Sequence, residues 1–177
     1  MRRVSRRTAL FGGAIWPAYL ATVPIARHTF ATGGVDFAKM ASVYGALQLV
    51  GAGADIAAWG QAAASAAAAL AVGWIWWRPA PVELRHAALV AGALVASPLL
   101  LDYDLVVAAV AAAWLVRRAE LDGFGGYEKT GLALLFAVTL VSRPIGIAVS
   151  IPLAAVVGPT LLILAVTRLQ SGRNIAL

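Results

Sequence analysis

Two carboxylates and a phenol stand side by side at Asp102, Tyr103 and Asp104, between two apolar runs in SPLLLDYDLVVAA. Ionised groups beside such runs are costly unless they are solvated, paired or functional. In a functional interpretation they contact an acceptor hydroxyl or a cation, or supply a general base. In a structural interpretation Asp102 or Asp104 caps the following helix, and Tyr103 anchors the chain at a membrane interface. Both interpretations predict that this triplet lies at or near a membrane surface.

Arg143 is the second candidate, and it is followed directly by a proline. The pair predicts the end of one helix and the start of the next, because proline favours the first turn of a helix. The guanidinium group suits a phosphate or a carboxylate, and the carboxylate partner we expect is Asp102 or Asp104. In the alternative interpretation, the Arg143 side chain only extends from the end of a membrane helix to the water interface and has no binding role.

Arg27, His28 and Lys39 are further cations in one polar connection. Together they suit a polyprenyl phosphate, although cations at a membrane surface also touch ordinary anionic headgroups. His28 has no second histidine or paired carboxylate at ligand spacing, and the chain has no cysteine, so no metal site is expected. The common nucleotide-loop, serine-hydrolase and zinc-protease motifs are absent, and no cofactor is predicted.

The amino-acid composition indicates what kind of protein carries these residues. Of 177 residues, 62% are hydrophobic and 12% are charged. A soluble domain of this size leaves roughly a third of its surface exposed, which excludes so apolar a chain. The net charge of +6 is spread in short groups between apolar runs, which is typical of membrane topology and not of a nucleic-acid surface. The sequence therefore predicts an integral membrane protein with membrane lipids as partners and no nucleic acid.

Six segments approach the length of roughly 20 apolar residues that a membrane helix needs. They are residues 8–26, 55–77, 84–101, 103–116, 129–142 and 144–167. Ser97-Pro98 is expected to end the third helix. The predicted fold is all-α, a polytopic transmembrane bundle of five or six membrane helices. We predict a single integral membrane domain over residues 1–177, with the bundle proper in residues 55–177.

The charge distribution predicts the orientation. With the amino and carboxyl termini in the cytoplasm, eleven of the 14 Lys and Arg residues lie inside, as the positive-inside rule requires. Residues 27–54 then form an external loop, and residues 8–26 form an anchor or a peri-membrane helix. Ser5-Arg6-Arg7 resembles an export motif, but Pro24 stands where a cleavage site needs a small residue. The expected location is the bacterial plasma (inner) membrane, as a multi-pass protein.

The chain resembles the carboxy-terminal part of bacterial family 87 glycosyltransferases, polytopic enzymes of the C superfamily. Four stretches carry the resemblance in order: WPAYLATVPIARHTF, KMASVYGALQLVGAG, ASPLLLDYDLVVAAVAAAWL and GYEKTGLALLFAVTLVSRPIG. They fall within residues 14–166, nearly the whole chain. Each motif is weak by itself, and their order and spacing give the resemblance its weight.

The resemblance implies transfer of a hexose, typically mannose, from a polyprenyl-phosphate sugar to a glycolipid or glycan acceptor outside the membrane. In that family an acidic residue of an amino-terminal half acts in catalysis, and it has no matching position in this sequence. The chain is therefore expected to be a fragment of a larger fold, with a larger glycosyltransferase or its amino-terminal half as partner. The expected substrate-binding residues are Arg27, Lys39, Asp102, Tyr103, Asp104 and Arg143, with the catalytic residues unassigned. The alternative is a noncatalytic membrane partner subunit, or a vestigial product without transferase activity.

Overall fold

A computed structural model describes Gly12 and residues 15–31 and 34–174 of the chain. Within this part the protein is all-α, with seven α-helices and no strand. The helices are α1 (Ile15–Ala31), α2 (Val43–Leu49), α3 (Ala54–Trp76), α4 (Val82–Ala96), α5 (Ala108–Asp122), α6 (Glu128–Val149) and α7 (Val157–Asn174). Short 3-10 helices cover Phe37–Lys39, Asp102–Val107 and Leu153–Val156. The chain divides into two compact units, residues 1–36 and residues 37–177.

The first unit contains α1, which overlaps the predicted segment 8–26 but continues to Ala31. Pro24 lies inside this helix, although proline cannot donate the backbone hydrogen bond of an inner turn. Thr22 and Thr29 each donate a hydroxyl hydrogen bond to a backbone carbonyl of their own helix. Residues 8–11, 13 and 14 of the predicted segment lie outside the described part.

In the second unit, α4 is the central helix and packs against α3, α5 and α7. Its inward side is built from small residues and leucine, which let the neighbouring helices approach closely. At Gly92 an added methyl group would lie 2.5 Å from a side-chain carbon of Val72. The α3–α4 contact therefore depends on a position without a side chain.

Among the described residues, three helical segments are long and apolar enough to cross a membrane: Ala54–Trp76, Glu128–Val149 and Leu153–Ser171. Much of their surface is covered by no other part of the protein, because at most 39% of any of these spans is buried. Exposed apolar surface of this extent is typical of a membrane protein and not of a soluble monomer. The first of the three confirms the predicted segment 55–77 within one residue at each end.

Two predicted helix boundaries have different outcomes. The break at Ser97-Pro98 is confirmed, since α4 ends at Ala96 and Ser97 has extended backbone angles. The break at Arg143-Pro144 is wrong, because α6 runs through Pro144 to Val149. Beyond the proline, Gly146 is buried next to Ala38, where an added Cβ would lie 3.4 Å from the Ala38 Cβ. The actual break is at Ser150, which has the left-handed φ of +55°.

The predicted loop over residues 27–54 is largely structured. It includes the end of α1, a 3-10 helix and α2. The Ser42 hydroxyl accepts a hydrogen bond of 3.0 Å from the Gly45 N–H and so caps α2. Gly45 lies directly against Met40, where a larger residue would collide. This segment therefore packs as part of the second unit from Phe37 onward.

Candidate functional site

The Asp102 turn is positioned by backbone hydrogen bonds to the segment before α2. The Ala41 N–H donates to the Leu100 carbonyl at 2.8 Å, and Met40 and Leu101 form an isolated antiparallel bridge. Leu100, Met40 and Ala41 are all buried. The chain leaving α4 is thereby held next to residues 37–41, and Asp102 begins a 3-10 helix at a fixed place.

Asp104 serves as the cap of this 3-10 helix. Its carboxylate accepts a hydrogen bond of 3.0 Å from the Leu101 N–H, while its own N–H donates to the Leu101 carbonyl at 3.0 Å. This reciprocal pair satisfies backbone groups that a helix start leaves without partners. The capping interpretation of the triplet therefore applies to Asp104.

Asp102 is placed differently, because its carboxylate faces α6. Its Oδ2 lies 3.6 Å from Nη1 of Arg143, and its Oδ1 accepts a hydrogen bond of 2.9 Å from the Tyr103 N–H. The Asp102 side chain is 19% exposed, whereas the Arg143 side chain is 53% exposed. The guanidinium group is thus oriented by a carboxylate and still has N–H groups free to meet an anion from outside.

A groove with a volume of about 340 Å³ begins beside this ion pair and runs between α5, α6 and α7. Asp102, Tyr103 and Thr139 form its polar end. The remaining walls are apolar and comprise Leu105, Val106, Ala108, Ala109, Ala112, Leu132, Leu135, Phe136, Val157 and Leu161. Such a surface suits an apolar chain whose charged end lies at the Asp102–Arg143 pair.

The remaining predicted site residues are distributed as follows. Lys39 ends a 3-10 helix and directly precedes Met40, so its backbone lies beside the Asp102 turn. Tyr103 is mostly exposed at the mouth of the groove. Arg27 belongs to α1 in the first unit, and its side chain lies outside the described part. The structure therefore brings together four of the six predicted residues as one polar group: Asp102, Tyr103, Asp104 and Arg143. Lys39 adjoins this group only through its backbone, because the next residue, Met40, meets Leu101.

Sequence reasoning missed an ion network at the other end of the groove helices. Arg168 of α7 donates two hydrogen bonds to the Glu128 carboxylate, at 2.6 and 2.8 Å, and a third to the Gly123 carbonyl at 2.7 Å. Asp122 lies 3.9 Å from Arg168 and 2.6 Å from Arg118. The network ties α5, α6 and α7 together. The charged run RRAELDGFGGYE could have indicated this network, but its partner Arg168 lies 40 residues beyond Glu128 and could not be identified from local spacing.

Gln61 is a second missed residue, buried between α3 and α4. Its amide N–H group donates to the Val95 carbonyl at 2.9 Å, and its amide oxygen accepts from the Tyr44 N–H at 3.1 Å. Its neighbour Ser65 donates to the Ala96 carbonyl at 3.1 Å. These side chains satisfy the last carbonyls of α4, which lose their helical partners because the chain breaks at Ser97.

Within residues 15–31 and 34–174 there is no group of three or more His, Asp or Glu side chains arranged to hold a metal ion. His86 instead contacts Trp114 edge to face, with ring centroids 4.7 Å apart. In comparisons with protein-family models, curated proteins and solved structures, the chain matches none. The resemblance to family 87 glycosyltransferases therefore stays a prediction.

Proposed function

We propose that this chain is a glycosyltransferase-like membrane protein whose groove binds a polyprenyl-phosphate sugar. The observation that carries the proposal is the Asp102–Arg143 pair at the polar end of an apolar groove. The lipid chain would lie against α5, α6 and α7, and the phosphate would meet the exposed N–H groups of Arg143. Arginine suits this role because its planar group binds phosphate through two hydrogen bonds at once.

The groove is at the small end of the usual range for ligand pockets, which is roughly 300–1,000 Å³. It would therefore hold only the part of a long lipid nearest to the phosphate, and the rest would lie in the bilayer. Asp102 and Tyr103 at the mouth would contact hydroxyl groups of the sugar or of the acceptor.

The proposed topology has six membrane helices, with both termini in the cytoplasm of a bacterium and the Asp102 turn outside its plasma membrane; with only five, the amino terminus would lie outside. Helices α4 and α5 have 15 residues each, so each is about 22 Å long and needs flanking segments to cross. For α5 the preceding 3-10 helix adds six residues. Charge supports the orientation, since six of the eight Lys and Arg residues between 37 and 171 lie at the end away from Asp102. These six are Arg78, Arg85, Arg117, Arg118, Lys129 and Arg168.

Hexose transfer also needs an acidic group at the reacting atoms, and we propose that a larger glycosyltransferase or its amino-terminal half supplies it. The alternative is a noncatalytic membrane partner that holds lipid but transfers nothing. One observation favours this alternative: Asp104 is engaged as a helix cap, and Asp102 is paired with Arg143. Both carboxylates therefore already have partners, and neither is free to act as a general base.

The test is transfer of a labelled hexose from a polyprenyl-phosphate donor in membranes that contain the chain. Asp102→Asn and Arg143→Ala are compared with wild type and with Arg117→Ala, which removes an exposed arginine at the opposite end of α5. We expect both site variants to lose transfer and the control to keep it. Unchanged turnover in both would remove these residues from the site. Transfer by the purified chain alone would exclude the noncatalytic alternative.

The topology has its own test, because the chain has no cysteine. Tyr103→Cys and Arg117→Cys place single thiols at exposed positions at opposite ends of the second unit. We expect a membrane-impermeant reagent to label position 103 from outside the cell and position 117 only after the membrane is opened. Labelling of position 103 from the cytoplasmic side alone would overturn the proposed orientation.

A further inference from the structure

The corner between α3 and α4 carries two arginines whose side chains lie on tryptophan rings. The Arg78 guanidinium carbon is 4.3 Å from the centroid of Trp74, and that of Arg85 is 5.8 Å from the centroid of Trp76. Arg85 also donates a hydrogen bond of 2.9 Å to the Arg78 carbonyl. The Arg85 guanidinium group is thus held beside the backbone of Arg78, and each of the two guanidinium groups has its own tryptophan ring. We call Trp74, Trp76, Trp77, Arg78 and Arg85 the corner cluster.

Neither arginine of the corner cluster is paired with a carboxylate anywhere in the described residues. The nearest acid in sequence is Glu83, and its ion-pair contact is with Arg118 at 3.9 Å. The Nε of Arg85 is buried without a hydrogen-bond partner among these residues. The positive charge of the two guanidinium groups is thus not balanced by an acid of the described residues, so an anion from outside the chain would stabilise the corner.

The position of the corner indicates which anion this is. Trp76 is the last residue of a candidate membrane span, and the Trp77 side chain beyond it is 93% exposed. Tryptophan at the end of a span typically lies at the depth of the lipid headgroups. At that depth the abundant anions are the phosphates of acidic phospholipids, which attract nearby arginines.

We infer that the corner cluster is a binding site for an acidic phospholipid headgroup, separate from the groove. The site lies at the start of α4, whereas the Asp102 turn follows the end of the same helix. Arg78 and Arg85 hold the phosphate, Trp74 and Trp76 orient the two guanidinium groups, and Trp77 lies against the lipid around it. The lipid fixes the depth of the α3–α4 corner in the membrane.

The experiment measures lipid binding by the purified full chain in a neutral detergent. Phosphatidylglycerol, phosphatidylcholine and inorganic phosphate are titrated separately, with thermal unfolding as the readout. The variant Arg78→Gln/Arg85→Gln is compared with Arg117→Gln, a control that removes an arginine already paired with Glu120. We expect phosphatidylglycerol to raise the melting temperature of the wild type and of the control. The double variant should bind this lipid about tenfold more weakly.

Three results would overturn the inference: equal stabilisation by phosphatidylcholine, an equal effect of inorganic phosphate, or an unchanged affinity in the double variant. If the double variant does not fold, the lipid preference of the wild-type chain provides a second test. Native mass spectrometry counts the lipids retained from an equal mixture of phosphatidylglycerol and phosphatidylcholine. A several-fold preference for phosphatidylglycerol supports the site, and equal retention contradicts it.

Discussion

Asp102 and Arg143 lie 3.6 Å apart at their charged atoms and join the start of the 3-10 helix before α5 to the last turns of α6. Asp102 lines the polar end of the groove and Arg143 lies beside it, while both helices continue along the apolar walls. Gly146, one turn beyond Arg143, packs against Ala38 and fixes the same end of α6. The position of the guanidinium group is therefore set by an ion pair and by helix packing together.

The groove itself can be tested by filling it. Ala109 lines the groove, so Ala109→Trp should occupy the space of the lipid and weaken binding of a polyprenyl phosphate about tenfold, or about 1.4 kcal/mol. Val110→Trp is the matched control, because the neighbouring Val110 is exposed and is not part of the groove wall. Equilibrium binding of a fluorescent polyprenyl phosphate measures both. Equal affinities in the two variants would show that the lipid binds elsewhere.

The Arg168–Glu128 pair should be a main source of stability at the other end of the bundle. Its side chains are 14% and 6% exposed, so Arg168→Gln leaves a carboxylate buried without its cation. We expect a loss of about 3 kcal/mol in the free energy of unfolding. Denaturant unfolding in detergent micelles measures this loss.

Arg117→Gln is the matched control for that pair. Arg117 lies 3.6 Å from Glu120, and both side chains are more than half exposed. An exposed pair of this kind contributes at most about 1 kcal/mol. If the two arginine variants lose the same stability, the buried network does not hold the helices as described.

Gln61 should matter through the backbone groups that it satisfies. Gln61→Leu keeps a side chain of similar size but leaves the Val95 carbonyl and the Tyr44 N–H without this partner. We expect a loss of about 2 kcal/mol, because buried polar groups without partners are costly. Gln170→Leu, at an exposed position of α7, should change stability little. Thermal unfolding of both proteins tests this, and equal melting temperatures would refute the role of Gln61.

Ser150 offers a change in the opposite direction. It ends α6 with a φ of +55°, a conformation that costs an ordinary residue about 1 kcal/mol and costs glycine almost nothing. Ser150→Gly should therefore raise the free energy of unfolding by about 0.5–1 kcal/mol. Ser171→Gly, within α7, should lower it instead. A destabilised Ser150→Gly protein would contradict the left-handed cap.

Local signals in the sequence predicted some elements well. The uninterrupted apolar run of α3 and the Ser97-Pro98 break depend on a few neighbouring residues, and both are confirmed. Pro144 misled the prediction, because a proline can remain inside a helix when other contacts hold the chain on both sides. Those contacts, Arg143 with Asp102 and Gly146 with Ala38, are tertiary and cannot be read from local spacing.

The same limit applies to the site. The types of Asp102 and Tyr103 indicated contact with a hydroxyl group or a cation, or a general base. The type of Arg143 indicated a phosphate or a carboxylate, and Asp102 was one of its two expected carboxylate partners. The groove was not predictable, since its walls come from three helices with similar apolar sequences. The buried contacts of Gln61 and Arg168 were missed for the same reason, because each satisfies groups that are remote in sequence.

The most direct test of the account is the dissociation constant of a polyprenyl phosphate for the purified wild-type chain, Arg143→Gln and Asp102→Asn. We predict that Arg143→Gln binds about tenfold more weakly, a loss of about 1.4 kcal/mol. Asp102→Asn should bind at least as tightly as wild type, because it releases the guanidinium group from its carboxylate. The corresponding polyprenol, which lacks the phosphate, should bind all three proteins alike. Equal binding of the phosphate by wild type and Arg143→Gln would contradict the central claim.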